Sequence, residues 1–205
     1  MTRALDDAQP PADSVSLDYF TGLYLAKDDP WDLATKWHDR RKYAVTMASL
    51  PRERYRRCYE PGASIGLLTA MLAARCDEVL AVDSVDLAVE QARSLLKDLS
   101  HVRVEQANLP AELPSGTFDL IVVGDLLYYF NEADLNATLD GFVQCLEPGG
   151  DIVGVHFRDR VNGGNYDGFQ VHAALAARPG LERVVHHEDE WFLLDVFRRT
   201  EAVPR

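Results

Sequence analysis

The chain has 205 residues, enough for one domain of ordinary size and too few for a cofactor domain beside a separate substrate domain. Its 33 Asp and Glu against 21 Lys and Arg leave a formal charge of −12, which repels a phosphate backbone and argues against nucleic acid as a substrate. With 47% apolar and 26% charged residues it can bury a core, and no apolar stretch approaches the roughly 18 residues that would span a bilayer.

Residues 1–15 read as a tail: Asp6, Asp7, Asp13, Pro10 and Pro11 leave no apolar stretch for a secretion signal, so a cytoplasmic protein is expected. Cys58, Cys76 and Cys145 are odd in number and widely spaced, the pattern of buried thiols rather than of disulfides or a zinc half-site. A helical lid is expected over 16–51. It comprises a short helix from Ser16 to Ala26 and a longer one from Trp31 to Leu50, opened by Asp28, Asp29 and Pro30 and ended by Pro51, with Trp37, Tyr43 and Met47 as packing residues.

From residue 52 to 200 the pattern alternates. Arg56 to Glu60 predicts a strand, and Leu67, Leu68, Met71 and Leu72 recur at helical spacing up to Cys76. Val79 to Asp83 is a second strand, followed by a helix with Val85, Ala88, Ala92, Leu95 and Leu99 on one face. Val102 to Glu105 is a third, and the run Leu120 to Val123 marks Phe118 to Gly124 as a strand buried on both faces. Asn131 with Asp134 resembles a capping box for a helix carrying Leu135, Leu139, Phe142 and Leu146, which Pro148, Gly149 and Gly150 stop. Asp151 to His156 is the fifth strand. A polar loop then leads to a helix near Phe169 to Ala177. Leu181 to His187 and Trp191 to Arg198 are separated by three residues, too few for a parallel crossover, so they should pair as an antiparallel hairpin at the sheet edge.

The first strand ends in Glu60-Pro61-Gly62-Ala63-Ser64-Ile65-Gly66, and Asp83 lies 21 residues beyond Gly62 at the end of the second. Such a turn lets a ligand approach the backbone at the carboxyl ends of parallel strands, and the acid on the neighbouring strand accepts hydrogen bonds from ribose hydroxyls. This is the pattern of a nucleoside site. A dinucleotide needs a glycine where Ser64 stands, and Glu60 would repel a pyrophosphate but could hold an ammonium group, directly or through water. S-adenosylmethionine has the ammonium and no phosphate.

Over Arg56 to Arg198 the chain resembles the class I S-adenosylmethionine-dependent methyltransferases, with five landmarks in order: E-P-G-A-S-I-G at 60 to 66, Asp83, Ala107-Asn108-Leu109-Pro110, F-D-L-I-V at 118 to 122 and L-E-P-G-G at 146 to 150. The resemblance implies an α/β Rossmann-like, doubly wound sheet of seven strands with the last antiparallel. It assigns Gly62, Ala63, Ser64 and Gly66 to the methionyl moiety, and Asp83 with Ser84 to the ribose. Asn108 and Leu109 go to the adenine, and Asp125 with Leu126 to the methyl-proximal side. Ser64 replaces a common glycine, and Asn108 stands where an acid is often found. D-P-W at 29 to 31, W-H-D-R-R-K-Y at 37 to 43 and G-D-L-L-Y-Y at 124 to 129 narrow the likeness to the nodulation protein S-like methyltransferases, with His38 where that pattern has a tyrosine. The founding activity of that subfamily is N-methylation of a deacetylated chitooligosaccharide, and relatives often accompany sugar N-deacetylases.

Methyl transfer from sulfonium is an in-line displacement, so the protein has to align the acceptor lone pair, exclude water and ensure that the nucleophile is deprotonated. His156 and Asp125, at the ends of the fifth and fourth strands, are the candidate catalytic groups expected to open into the pocket, His156 orienting or deprotonating the acceptor. Tyr128 and Tyr129 are candidates to touch substrate, and residues 159–167 to form its wall. Trp31 and one of Arg40 and Arg41, the latter facing the methionyl carboxylate, are the candidate lid contacts to the cofactor. No metal is expected: His186, His187, Glu188 and Asp189 are neighbours in a strand and point to opposite faces. The favoured function is methylation of an amine on a deacetylated amino sugar or related metabolite. The alternatives are an O-methyltransferase, an NAD-dependent oxidoreductase and a non-catalytic nucleoside-binding module. Oligomeric state is not encoded in these motifs.

Overall fold

Seven strands, β1 (Tyr55–Pro61), β2 (Cys76–Asp83), β3 (Val102–Gln106), β4 (Phe118–Gly124), β5 (Leu146–Phe157), β6 (Leu181–Glu188) and β7 (Phe192–Arg199), form one sheet in the order β3-β2-β1-β4-β5-β7-β6. The computed structural model describes residues 12–200, so most of the expected tail lies outside the described residues. The first five strands run parallel, and β7 lies between β5 and β6, antiparallel to both. The terminal hairpin thus forms as expected, but only β6 occupies the edge. The burial patterns agree: every residue of β7 from Phe192 to Phe197 is buried, whereas β6 has no buried residue.

The helices are α1 (Leu17–Ala26), α2 (Trp37–Ser49), α3 (Leu67–Ala73), α4 (Asp86–Leu96), α5 (Glu132–Cys145) and α6 (Gly168–Ala176), with a short 3-10 turn at Leu127–Tyr129. Two apolar clusters cover the two faces of the sheet. One joins Tyr59, Ile121 and Val123 to α5 and α6; the other joins Cys58, Leu120, Val122 and Val153 to α3 and, through Tyr43 and Met47, to α2. Reversal of strand order between β1 and β4 opens a crevice at the carboxyl ends of the parallel strands, where ligands of such sheets bind.

Four local expectations are corrected. The second helix begins at Trp37 rather than Trp31, because Asp32 adopts φ +60° and the Asp29 carboxylate accepts from the Leu33 and Ala34 amides, closing a turn before the helix starts. That start leaves Trp37 70% exposed instead of packed. The third helix ends at Ala73, and Cys76 opens β2. Pro148, Gly149 and Gly150 do not separate a helix from a strand but lie inside β5, which starts at Leu146. The start of α5 is as expected on one side, with Asn131 accepting from the Asp134 amide at 2.8 Å. The reciprocal half is relayed through Ser14, whose hydroxyl accepts from the Asn131 amide (2.8 Å) and donates to the Asp134 carboxylate (2.5 Å).

Candidate functional site

The crevice holds a cavity of about 460 Å³, within the range of small-molecule sites, walled by α1, the 28–36 turn, α2, the β1–α3 turn and the ends of β2, β4 and β5. The β1–α3 turn is its floor. Gly62 has φ +72°, and a Cβ there would meet the Leu126 side chain at 3.3 Å, so the glycine serves both the backbone bend and the close approach of the β4 loop. Ser64 also adopts a left-handed conformation (φ +52°), which explains why glycine is common there. What holds the serine is local. Its amide donates to Asp83 Oδ2 at 2.8 Å, and its hydroxyl shares a 2.6 Å hydrogen bond with the Tyr24 hydroxyl of α1.

Glu60 is 3% exposed on this floor, and its Oε2 atom has no hydrogen-bond partner. Burial, reinforced by the nearby Asp83 charge, pushes its carboxyl up to about 8. A partnerless carboxyl in a cleft is a cost to the fold unless a cationic ligand supplies the partner. Asp83 accepts from the Ser64 and Val85 amides, one on each oxygen, and burial outweighs these donors to raise its pKa. Each oxygen keeps a second lone pair, so the carboxylate can still accept hydroxyl donors. Ser84, Asn108 and Leu109 extend the wall from the ends of β2 and β3.

Opposite this floor stands a cluster built from two elements. Lys42 of α2 is 1% exposed and bridges Asp39 (2.9 Å) to Asp125 at the end of β4. Burial works against the ammonium, but the charges of Asp125 and Asp39 prevail and hold its pKa above the usual lysine value. Asp125, at φ +49°, also accepts from the Tyr128 hydroxyl and the Phe157 amide, both at 3.1 Å. Two carboxylates share one ammonium here, leaving one uncompensated negative charge on the cleft wall. His38 Nε2 lies 3.2 Å from Asp39, and Lys42 sits 4.2 Å from the Phe157 ring centroid.

Of the residues singled out in the sequence, Trp31, Glu60, Gly62, Ala63, Ser64, Asp83, Ser84, Asn108, Leu109, Asp125, Leu126, Tyr128 and Tyr129 all line the cavity, as do Val161 and Asn162 of the expected acceptor wall. Four others do not. Gly66 lies behind the turn, where a Cβ would meet Leu96 and Ala92 at 3.0 and 3.1 Å; its role is the packing of α3 on α4. Arg40 and Arg41 point away from the cleft, because α2 packs with Asp39, Lys42 and Thr46 buried. Arg40 covers the exposed Trp37 ring, and Arg41 pairs with Asp189 over Phe192. His156 is fully buried beneath the 3-10 turn. Its Nε2 accepts from the Leu127 amide (3.4 Å), and Nδ1 faces His172 (3.2 Å), which in turn contacts Asp195 at 2.6 Å. Burial first, then His172 and Lys42, drives its pKa well below the usual value, so it is a neutral structural acceptor rather than a base in the pocket. Asp125 reaches the cavity, but both its oxygens are engaged, so it forms wall.

Lys42, Asp39, Tyr24 and Lys36 were not found from the sequence as site residues. The one available signal was the Asp39/Lys42 spacing of i, i+3, which places both on one helix face. Among the described residues no set of three or more His, Cys, Asp or Glu side chains could hold a metal, and no helix is long and apolar enough to cross a membrane. His186 contacts Asp195 and His187 contacts Asp189, on separate sides of β6.

The sheet order, the antiparallel β7 and the cleft above the Gly62 turn define the class I S-adenosylmethionine-dependent methyltransferase fold. The sequence profile of the nodulation protein S (NodS) family matches residues 21–176, and the chain belongs to that family. Nodulation protein S of Bradyrhizobium diazoefficiens is 30% identical over 139 residues, 67% of this chain and 66% of that one. Across this relative and those of Rhizobium tropici and Sinorhizobium fredii, the chain spans 58–66% of the relative's length. Among solved structures, a candidate methyltransferase from Pseudomonas syringae is 43% identical with a TM-score of 0.72, over 80% of this chain and all of that one. The N-methyltransferase NodS of Bradyrhizobium japonicum, in complex with S-adenosyl-L-homocysteine, is 26% identical with a TM-score of 0.79, over 89% of this chain and 98% of that one.

Proposed function

We propose that the protein transfers a methyl group from S-adenosylmethionine to an amine of a small acceptor, a deacetylated amino sugar being the favoured class. The observation that carries the amine is the acid excess of the cleft: with Glu60 protonated while the site is empty, Asp39, Asp83 and Asp125 stand against the Lys42 and Lys36 ammonium groups. A net negative cavity attracts a cationic donor and a cationic acceptor, and gives a neutral hydroxyl no comparable advantage. A pyrophosphate would meet Glu60, which disfavours NAD.

The residues present fit the donor. Glu60 Oε2, without a partner, suits the ammonium of its amino-acid end, and Asp83 suits the ribose hydroxyls. Asn108, Leu109 and Leu126 line the cavity, which supports reading the first two as adenine contacts and Leu126 as the methyl-proximal wall. With Arg40 and Arg41 turned away, Lys36 is the lining ammonium available to the methionyl carboxylate. The donor supplies an electrophilic methyl on sulfonium. The protein's part is to seat the acceptor nitrogen in line, close α1 and α2 over it and keep water out. Tyr128 and Tyr129 present aromatic surface to that side of the cleft.

A free amine on an amino sugar implies a deacetylation upstream, so an N-deacetylase is the expected source of substrate. Cys58, Cys76 and Cys145 are unpaired thiols, which suits work in a reducing cytoplasm. The test has two stages. S-adenosylhomocysteine should raise Tm while NAD does not. Labelled methyl should then pass to glucosamine or a deacetylated chitooligosaccharide, and not to the N-acetylated forms. Transfer to hydroxylated acceptors alone would replace the amine by an oxygen nucleophile, and stabilisation without transfer to any acceptor would leave a binding module.

A further inference from the structure

We propose that His38, with Asp39 behind it, is the proton acceptor for the substrate ammonium. This deepens the reading of the protein as an amine methyltransferase and rests on it. His156 and Asp125 are both committed to protein partners, so an ammonium acceptor reaching the cleft would find neither able to take its proton. His38 differs from them. Its ring lines the cavity and is 27% exposed, and among the described residues Nδ1 has no protein partner. Nε2 lies 3.2 Å from Asp39 Oδ2, an ion-pair contact on the side of the ring away from the unpartnered Nδ1.

The ring is held on two sides. It stacks on Trp191 with centroids 5.0 Å apart at 12°, and it meets the edge of Phe157 at 5.5 Å. Asp39 is 2% exposed and fixed by Lys42, so a base, its orienting acid and a cation holding that acid follow one another from cleft to core. The charged groups around the ring are Asp39 and Lys42 on its own helix, Asp125 across the cleft, and the Arg41–Asp189 pair below Trp191.

The position also separates the two ends of the site. Asp83 and Asn108 lie at the β2–β3 side of the cavity, whereas His38 packs on Phe157 at the end of β5. That is the side left for an acceptor. His38 Nδ1 takes one proton from the acceptor ammonium. The freed nitrogen lone pair then forms the N–C bond while the C–S bond breaks onto sulfur, and the methylated amine departs as a cation. His38 returns its proton to water at its exposed edge.

The test compares the unmodified protein with His38→Gln and His38→Ala. At about pH 6.5, kcat/KM for glucosamine should fall about 100-fold in His38→Gln, with the deficit closing toward about pH 9, where the amine deprotonates without help. Imidazole added to His38→Ala should restore part of the rate, which a structural role would not allow. Independently of turnover, the His38 ring resonances of the unmodified protein with S-adenosylhomocysteine should move toward the protonated form when glucosamine is added. Turnover within twofold in His38→Gln across that pH range, or ring resonances unmoved by a bound amine, overturns the assignment while leaving the function intact. Failure of the unmodified protein to methylate any amine removes the function and this assignment together.

Discussion

In the proposed site, Glu60 links cofactor binding to protons. Burial raises its carboxyl to about 8 from an ordinary 4.5, so the ligand-free protein holds a proton there that the unfolded chain releases. Ligand-free stability from this group is therefore complete below about pH 4.5 and is lost as pH rises through about 8. An incoming ammonium favours the anion. Binding of S-adenosylhomocysteine at pH 7 should thus expel close to one proton, visible by calorimetry in buffers of different ionisation heat. Glu60→Gln should abolish that release and weaken binding at least tenfold, and unchanged affinity would remove Glu60 from the site. His156 works in the opposite sense: its folded pKa lies below the ordinary 6.5, so its contribution is present above 6.5 and is lost as pH falls. Urea midpoints measured from pH 7 to 5 should decline, and less steeply in His156→Gln.

Lys42 ties a helix to a strand end. In Lys42→Met, Asp39, 2% exposed, loses its cation while staying out of water, a situation that costs about 3 to 5 kcal/mol when a buried pair is broken, whereas Asp125, 24% exposed on the cavity wall, is partly relieved by solvent. Urea denaturation should show a loss of that size, with α2 loosening from β4. An unchanged midpoint would mean the two acids reach solvent. The link between α1 and the cofactor turn is weaker. Tyr24 meets Ser64 through one hydrogen bond, and burial, helped by Asp83, raises the Tyr24 pKa so that the phenol stays protonated. Tyr24→Phe should cost about 1 kcal/mol and speed release of S-adenosylhomocysteine in stopped-flow measurements, since the lid element then rests on packing alone. Ser64→Gly loses the same bond but relieves the left-handed strain, and should be closer to neutral.

At the scale of the molecule, a formal charge of −12 surrounds a largely apolar cleft whose charged lining residues are mainly acids. Long-range attraction of a cationic acceptor follows, and salt screens it. Between about 0.02 and 0.5 M NaCl the KM for an amino sugar should rise several-fold. Affinity for a zwitterionic or neutral analogue should change little. Equal salt dependence for both would show that the acid lining is compensated before the acceptor enters. The sheet supports this arrangement by burying β4 up to Val123 and β7 from Phe192 to Phe197, so the crevice stands on strands packed on both faces.

Sequence alone determined the sheet, the hairpin and the floor of the cleft, because these are written in short-range terms: apolar runs set buried strands, a three-residue link forbids a crossover, and a glycine turn with an acid on the next strand marks a ribose. Glu60, Gly62 and Asp83 were legible for that reason. The partners of each polar group were decided only in three dimensions. His156 and Asp125 stand at strand ends, as the pattern required, yet His172, Leu127 and Lys42 from distant segments, with the neighbouring Tyr128, occupy their atoms and withdraw them from the chemistry. Which face of α2 turns inward was likewise decided by packing: Asp39, Lys42 and Thr46 are buried, and Arg40 and Arg41, about 100° and 200° round the helix from Asp39, face away from the cleft.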